Sequence, residues 1–213
     1  MPGFELWGAE ERSQLKDVLD NGILMRYGFD GPRKGIWKSR ELEKAITNTF
    51  GCDYAQLVSS GTAALTTAMG ALGIGYGDEV IMPSFTFVAS FEAVVSVGAI
   101  PVLVDVDDSL TLNPEAVKNA ITPKTKCIMP VHMCGSMADL GALKQICDEH
   151  NLVLLEDACQ SIGGTYKGKK LGTIGHAGTF SFDFVKTITC GEGGVVMTNE
   201  ESVYIKSDGY TDH

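Results

Sequence analysis

The chain has 213 residues, of which 44% are hydrophobic, and a formal net charge of −10. Its length suits one large domain, or one domain with a short appendage, and is long enough to bury a sizeable core. Because no basic block offsets the acidic excess, the charge argues against nucleic acid or an anionic membrane as a partner. The sequence has no apolar run of transmembrane length, and its start, MPGFELWGAEERSQ, is too polar for a signal peptide. We therefore expect a cytoplasmic protein.

The six cysteines and four histidines predict neither a disulfide framework nor a metal site. The cysteines are scattered without a C-x-x-C pair, as suits reduced thiols. His132 and Cys134 lie close together at the end of a predicted strand. We interpret them as ordinary residues at a strand end rather than as zinc ligands.

The first fifty residues differ in character from the rest. They contain two predicted helices, from about Glu10 to Asn21 and from about Arg40 to Phe50, separated by the irregular stretch RYGFDGPRKGIWK. We predict that residues 1–50 form an N-terminal arm and that residues 51–213 form the main domain.

From residue 55 onward, short apolar runs alternate with helical patterns. The runs are nearly continuous in aliphatic residues, which is typical of strands buried on both faces. They are AQLV (55–58), EVIMP (79–83), IPVLVDV (100–106), KCIMPV (126–131) and LVLLED (152–157). Between them, TAALTTAMGALG, FVASFEAVVSVG, PEAVKNAI and DLGALKQICDEH predict helices. The alternation predicts an α/β fold with a mostly parallel sheet and helices on both faces.

Beyond Asp157 the alternation of apolar runs with helical patterns ends. The stretch SIGGTYKGKKLGTIG predicts a loop or hairpin, and GTFSF (178–182) and GGVVMTN (193–199) predict two further strands on either side of Lys186.

The glycines of GIGYGD (73–78) superficially suggest a dinucleotide-binding loop. They follow a predicted helix and precede a strand, which reverses the order that such a loop requires, and their spacing misses G-x-G-x-x-G. We interpret them as a helix cap and turn, so the sequence disfavours a nicotinamide-dependent dehydrogenase.

Two candidate features follow predicted strands, where ligands bind in open α/β sheets. SSGTAAL opens a helix, so the backbone N–H groups and hydroxyls around Ser60, Gly61 and Thr62 could hold a phosphate. LVLLED ends in Glu156 and Asp157, which puts a carboxylate at the same edge. Taken separately, each also suits a purely structural role, as a turn before a helix or as a helix cap.

Lys186 is the third feature. It is flanked by Phe182, Phe184, Val185 and Ile188, which we expect to desolvate its amine partly and favour the neutral form that attacks an aldehyde. The structural alternative is a lysine at a strand end that reaches into solvent.

The three features together suit pyridoxal 5′-phosphate (PLP). This cofactor needs an anion site for its phosphate, an acid that keeps the pyridine nitrogen protonated, and an amine for its aldehyde. Phe87, in PSFTFVAS, adds an aromatic ring that could stack on the cofactor.

Six ordered motifs resemble the DegT/DnrJ/EryC1/StrS family of sugar aminotransferases, which have the aspartate-aminotransferase fold (fold type I). They are SSGTAAL, GDEVIMPSFTFVAS, PVLVDVD, VHMCG, LLEDACQSIGGTYKGKKLGTIG and FSFDFVKTITCGEGGVVMTN. The resemblance covers nearly the whole chain, as the PLP-binding large domain. Family members continue with a smaller C-terminal domain, so we expect that domain to be absent here.

The resemblance also assigns roles. Lys186 is implied as the Schiff-base lysine, Asp157 as the partner of the pyridine nitrogen and Gln160 as a neighbour of the phenolic oxygen. Phe87 would stack on the cofactor ring. Three residues would hold the phosphate: Gly61, Thr62 and Ser181.

The implied reaction moves an amino group from an amino-acid donor, expected to be glutamate, to an oxo sugar in two half-reactions, and the implied assembly is a homodimer. MPGFELWG, RYGFD and VKTITCGEGG resemble the members that aminate the C8 aldehyde of a 3-deoxy-8-oxo-octulosonate, in the biosynthesis of a lipopolysaccharide sugar. Two alternatives stay open: a nucleotide-linked keto-hexose as substrate, or a truncated domain without catalytic activity. A related branch that dehydrates sugars is disfavoured, because its members typically carry histidine where this chain has Lys186.

Overall fold

The computed structural model of the chain describes residues 3–211, so residues 1 and 2 of the predicted arm and residues 212 and 213 of the predicted main domain lie outside it. The strands are β1 (Tyr54–Val58), β2 (Glu79–Pro83), β3 (Ile100–Val104), β4 (Thr125–Ile128), β5 (Val153–Asp157), β6 (Thr165–Tyr166), β7 (Lys169–Lys170), β8 (Ala177–Ser181) and β9 (Gly194–Thr198). Seven of them form one sheet in the order β1-β9-β8-β5-β4-β2-β3. Strand β9 runs opposite to the other six strands of this sheet, and all pairs that do not involve β9 are parallel. This confirms the predicted, mostly parallel arrangement.

The helices are α1 (Ala9–Asn21), α2 (Asp30–Arg33), α3 (Lys38–Phe50), α4 (Gly61–Ala71), α5 (Val88–Ser96), α6 (Pro114–Ala120), α7 (Leu140–His150) and α8 (Glu201–Thr211). Short 3-10 turns occupy Gly3–Leu6 and Met133–Gly135. Within residues 3–211, no helix combines the length and the apolar character needed to cross a membrane.

The sheet is covered on both faces, which explains its unbroken apolar runs. In β5, Leu154 belongs to the core cluster that contains Leu143 of α7. The next residue, Leu155, points to the other side and belongs to the cluster that contains Leu65 of α4. Each such side chain contributes about 1.5–3 kcal/mol on burial, so both layers hold the sheet in place.

Two turn predictions are confirmed. Gly73 caps α4 with φ +73°, and its N–H donates to the carbonyl of Gly70. The stretch after β5 forms the β6–β7 hairpin, whose turn residues Lys167 and Gly168 both have positive φ. A two-residue turn of this kind matches the twist of the paired strands.

Helix α8 was not predicted from the sequence. It packs on α4, where Gly70 leaves room for the ring of Tyr210: a Cβ added at Gly70 would lie 2.3 Å from Tyr210 Cζ. The residues of α8 that are buried are Val203 and Ser207. Because only one of these two residues is apolar, the helix gives almost no amphipathic pattern in the sequence.

Candidate active site

A cleft of about 490 Å³ opens at the carboxyl ends of β5 and β8, beside the first turns of α4 and α5. This is the edge at which open α/β sheets bind ligands. All the residues that the sequence predicts for a cofactor site line this cleft: Gly61, Thr62, Phe87, Asp157, Gln160, Ser181 and Lys186.

The start of α4 forms one wall of the cleft. Ser60 is the N-cap, and its Oγ accepts a hydrogen bond of 3.0 Å from the N–H of Ala63. The oxygen of Ser60 thus serves as a helix cap, and its O–H group is still able to donate. The N–H groups of Gly61 and Thr62 belong to the first turn and have no acceptor within the helix. These N–H groups lie at the positive end of the helix dipole, so they can bind an anion.

Gly61 and Ser181 lie in contact at the base of this wall. A Cβ added at Gly61 would lie 2.7 Å from Cβ and 3.1 Å from Oγ of Ser181, closer than such atoms approach. It would also lie 3.2 Å from Sγ of Cys159. Glycine at this position keeps open a cradle lined by backbone N–H groups and a hydroxyl, which fits a phosphate.

Asp157 is 4% exposed and lies at the floor of the cleft. Its Oδ2 accepts a hydrogen bond of 2.7 Å from Ser90 Oγ, and its Oδ1 accepts one of 3.1 Å from the N–H of Cys159. The hydroxyl of Thr86 donates in turn to Ser90 Oγ at 2.8 Å. These two hydrogen bonds fix the carboxylate at the floor of the cleft, where it could face a pyridine nitrogen.

The thiol of Cys159 also borders the cleft. Burial raises its pKa well above the usual range, and the charge of Asp157 raises that pKa further. A raised pKa disfavours the thiolate, so we assign Cys159 no role as a nucleophile of this site.

Lys186 lies in the loop between β8 and β9, half-buried, with its Nζ 5.9 Å from the centre of the Phe87 ring. The predicted desolvation by flanking side chains is wrong for three of the four. Phe182 is buried, but Phe184, Val185 and Ile188 are more than half exposed. They stay exposed because the loop projects beyond the sheet, and of the three only Val185 lines the cleft, so the partial burial of Lys186 comes from the residues of the cleft.

Gln160 has one half of its amide already engaged. Its Oε1 accepts a hydrogen bond of 3.1 Å from the N–H of Cys134. Because the N–H of Cys134 bonds to the amide oxygen of Gln160, the NH₂ group of Gln160 is left to donate a hydrogen bond in the cleft. A donor at this place suits a phenolic oxygen.

The two adjacent carboxylates of β5 have different surroundings, because successive strand residues face opposite sides. Glu156 is fully buried and accepts hydrogen bonds of 2.7–2.8 Å from the N–H groups of Gly172, Ile174 and Gly175. It also lies 3.2 Å from Nε2 of His132. Glu156 therefore holds the loop after the β6–β7 hairpin, and Asp157 alone of the pair reaches the cleft.

His132 completes this buried contact. Its Nδ1 accepts a hydrogen bond of 3.3 Å from the N–H of Ala138, so Nε2 carries the proton and donates to Glu156. Cys134 is exposed. Within residues 3–211, no group of three or more His, Cys, Asp or Glu side chains is arranged to hold a metal ion.

Sequence analysis missed four polar residues of the cleft, Ser90, Asp183, Thr187 and Glu192. Ser90 was detectable as a buried hydroxyl position in the otherwise apolar start of α5, one turn after Phe87. Asp183 had no such signal; its Oδ1 accepts from the N–H of Val185 and shapes the turn that leads to Lys186.

The sheet order and this cleft define a large domain of the aspartate-aminotransferase class, fold type I. The chain belongs to the DegT/DnrJ/EryC1/StrS aminotransferase family, whose model matches residues 7–213.

Solved structures agree with this assignment. An aminotransferase from Psychrobacter cryohalolentis is 37% identical with a TM-score of 0.90, over 97% of this chain and 51% of its own. A 3-amino-5-hydroxybenzoic acid synthase is 38% identical with a TM-score of 0.88, over 95% and 52%. NtdA from Bacillus subtilis, solved with bound cofactor PMP, is 32% identical with a TM-score of 0.81, over 94% and 45%. The chain thus spans about half the length of each of these proteins.

Proposed function

We propose that this chain is the cofactor-binding part of a PLP-dependent sugar aminotransferase, with Lys186 as its catalytic residue. The observation that carries the proposal is the convergence on one cleft of Lys186, the buried Asp157 and the open start of α4. Each feature has a common structural explanation by itself. Their meeting at one sheet edge is what PLP chemistry requires.

Different residues of the cleft would bind different parts of the cofactor. The N–H groups of Gly61 and Thr62 and the hydroxyl of Ser181 would bind its phosphate. Asp157, kept in place by Ser90, would accept the hydrogen bond of the pyridine nitrogen. The NH₂ group of Gln160 would donate to the phenolic oxygen.

Phe87 would cover one face of the ring. It is the N-cap of α5 and is 56% exposed towards the cleft and solvent, so its ring is available for stacking. Because Ser90 lies one turn further on the same helix, a single element presents both the stacking ring and the support of Asp157.

Lys186 would act twice in the reaction. The bound cofactor supplies an aldehyde that takes up amines and a ring that withdraws electrons from the attached carbon. Lys186 Nζ would hold that aldehyde between turnovers, and the donor would be an amino acid, proposed to be glutamate. As a free amine, Lys186 would take the proton from the donor's α-carbon as a general base and deliver it as a general acid.

The proposed acceptor is the C8 aldehyde of a 3-deoxy-8-oxo-octulosonate, a precursor of a bacterial lipopolysaccharide sugar. The likeness of MPGFELWG, RYGFD and VKTITCGEGG to members that aminate this sugar acid supports the proposal. A nucleotide-linked keto-hexose is the alternative acceptor.

We further propose that the working enzyme is a homodimer. Apolar side chains of the cleft and of the segment around Phe87 are left in solvent: Phe87 and Val185, which line the cleft, and Phe85, Val88 and Phe91 are 38–64% exposed. A contiguous group of this kind is typical of a surface that another chain covers.

Amino-group transfer tests the proposal directly. The protein is incubated with PLP, ¹⁵N-glutamate and either the oxo-octulosonate or a nucleotide-linked keto-hexose, and the sugar product is weighed by mass spectrometry. We expect ¹⁵N in the octulosonate product and none with the K186R variant, which keeps the charge but cannot bind the aldehyde. Transfer only to the hexose would show that the acceptor is the nucleotide-linked keto-hexose and not the octulosonate. Absence of transfer to either sugar, with PLP attached to Lys186, would contradict catalysis by the 213-residue chain.

A further inference from the structure

The segment Gly3–Leu6 lies against the loop that carries Lys186. The N–H of Gly3 donates a hydrogen bond of 2.8 Å to the carbonyl oxygen of Lys186 itself. The rings of Phe4 and Phe184 stack with their centres 4.4 Å apart and their planes at 8°. Two independent contacts therefore join residues at opposite ends of the sequence beside the proposed catalytic lysine.

The fit at Gly3 is close. A Cβ added there would lie 2.6 Å from the carbonyl oxygen of Thr187 and 3.2 Å from Cγ2 of Thr189. The carbonyl is backbone and cannot rotate out of the way as a side chain could. Glycine is therefore required for the segment to approach the residue that follows Lys186.

The tip of the loop has little other support. Asp183 holds its base, since the N–H of Lys186 donates to the Asp183 carbonyl at 2.9 Å and that of Val185 to Asp183 Oδ1 at 3.1 Å. Beyond that point, Val185 is 64% and Ile188 is 51% exposed. Neither anchors the loop in the core. On the far side of Lys186, Thr189 Oγ1 and the N–H of Cys190 both donate to the carbonyl of Phe182 at 3.1 Å, so the loop's own hydrogen bonds hold its two stems, and contacts from outside act on the tip around Lys186.

We propose that Gly3–Leu6 is a brace that fixes the backbone of Lys186 and thereby sets where its amine meets the cofactor. The inference rests on the role proposed for Lys186. Gly3 and Phe4 are positioning residues in this account, because they act on Lys186 and touch no reacting atom.

Hydrogen exchange of the cofactor-free protein tests the brace without any assumption about PLP. In G3A and F4A, peptides covering residues 184–190 should exchange about tenfold faster, because the loop opens more often once a brace contact is lost. F4Y, which keeps the stacked ring, should behave as the wild type. Two controls should also leave exchange unchanged: G31A, where no atom lies within 4 Å of the new Cβ, and L6A, whose side chain is 72% exposed.

A PLP titration of the same variants tests the consequence for Lys186. We expect the Kd for PLP to rise several-fold in G3A and F4A, with the melting temperature unchanged because the segment adds nothing to the core. Unchanged exchange at 184–190, or faster exchange with an unchanged Kd, would overturn the brace. If the wild-type protein itself bound no PLP, the proposed function would fail, and the exchange comparison would still decide whether Gly3–Leu6 fixes the loop.

Discussion

Ser90 Oγ donates a hydrogen bond of 2.7 Å to Asp157 Oδ2, and this buried contact joins the first turn of α5 to the end of β5. Removing the hydroxyl takes away one of the two donors that hold the carboxylate of Asp157 in place. S90A should weaken PLP binding by about 1 kcal/mol, or about fivefold. An absorbance titration with PLP measures this. S96A is the matched control, since Ser96 lies on the same helix and donates to Ala93 instead; equal affinities for S90A and S96A would refute the role of Ser90.

Gly61 is predicted to be essential for holding the phosphate. In G61A the new Cβ would meet Ser181 at 2.7 Å, so the cradle must widen or close. We expect at least about tenfold weaker binding of PLP, consistent with a cost of 1–3 kcal/mol for overpacking. The affinity for pyridoxal, which has no phosphate, should change much less. G75A serves as control, since its Cβ meets nothing closer than 3.7 Å; an equal loss for both ligands would place the effect outside the cradle.

The neighbours Glu156 and Asp157 should respond oppositely to neutralisation. E156Q sets an NH₂ group against backbone donors and should lower the free energy of unfolding by about 3 kcal/mol, with Lys186 still able to take PLP. D157N should keep the stability nearly unchanged and lose most of the cofactor affinity. Urea unfolding and PLP titration of both variants check this. The assignment of the two carboxylates would be wrong if D157N were the unstable variant.

The buried thiols should resist alkylation in the folded protein. Burial raises the pKa of the Cys52 thiol to about 11 and that of Cys147 to about 12. The reactive thiolate is scarce far below these values, so the rate with iodoacetamide should rise about tenfold per pH unit between pH 7 and 9. Exposed Cys134 should be labelled first. Peptide mass mapping over this pH range measures the order, and prompt labelling of Cys159 at pH 8 would contradict its burial.

The sheet and its edge could be predicted because they depend on local pattern. Runs such as LVLLED are typical of strands buried on both faces, and parallel strands bring their carboxyl ends together. That rule alone places Asp157 and Ser181 near the start of α4. The alternation of side chains also separates Glu156 from Asp157, but it does not say which of them faces the cleft.

The rest depends on contacts between distant parts of the sequence. The pairing of Gly3 with Lys186 joins segments far apart in the chain, and nothing in either segment encodes it. Helix α8 is specified by its packing on Gly70 of α4 rather than by its own pattern. The exposure of Phe184 and Val185 likewise follows from how far the loop projects beyond β8, which flanking residues do not reveal.

The most direct measurement is reduction of the PLP complex with borohydride, followed by peptide mass mapping of the pyridoxyl group. The account predicts a single label on Lys186, none on that peptide in K186A, and no loss of label in the control variant K206A, whose lysine lies on α8 away from the cleft. A folded sample that carries no label, or a label spread over surface lysines with Lys186 unmodified, would contradict the assignment of this cleft as the cofactor site.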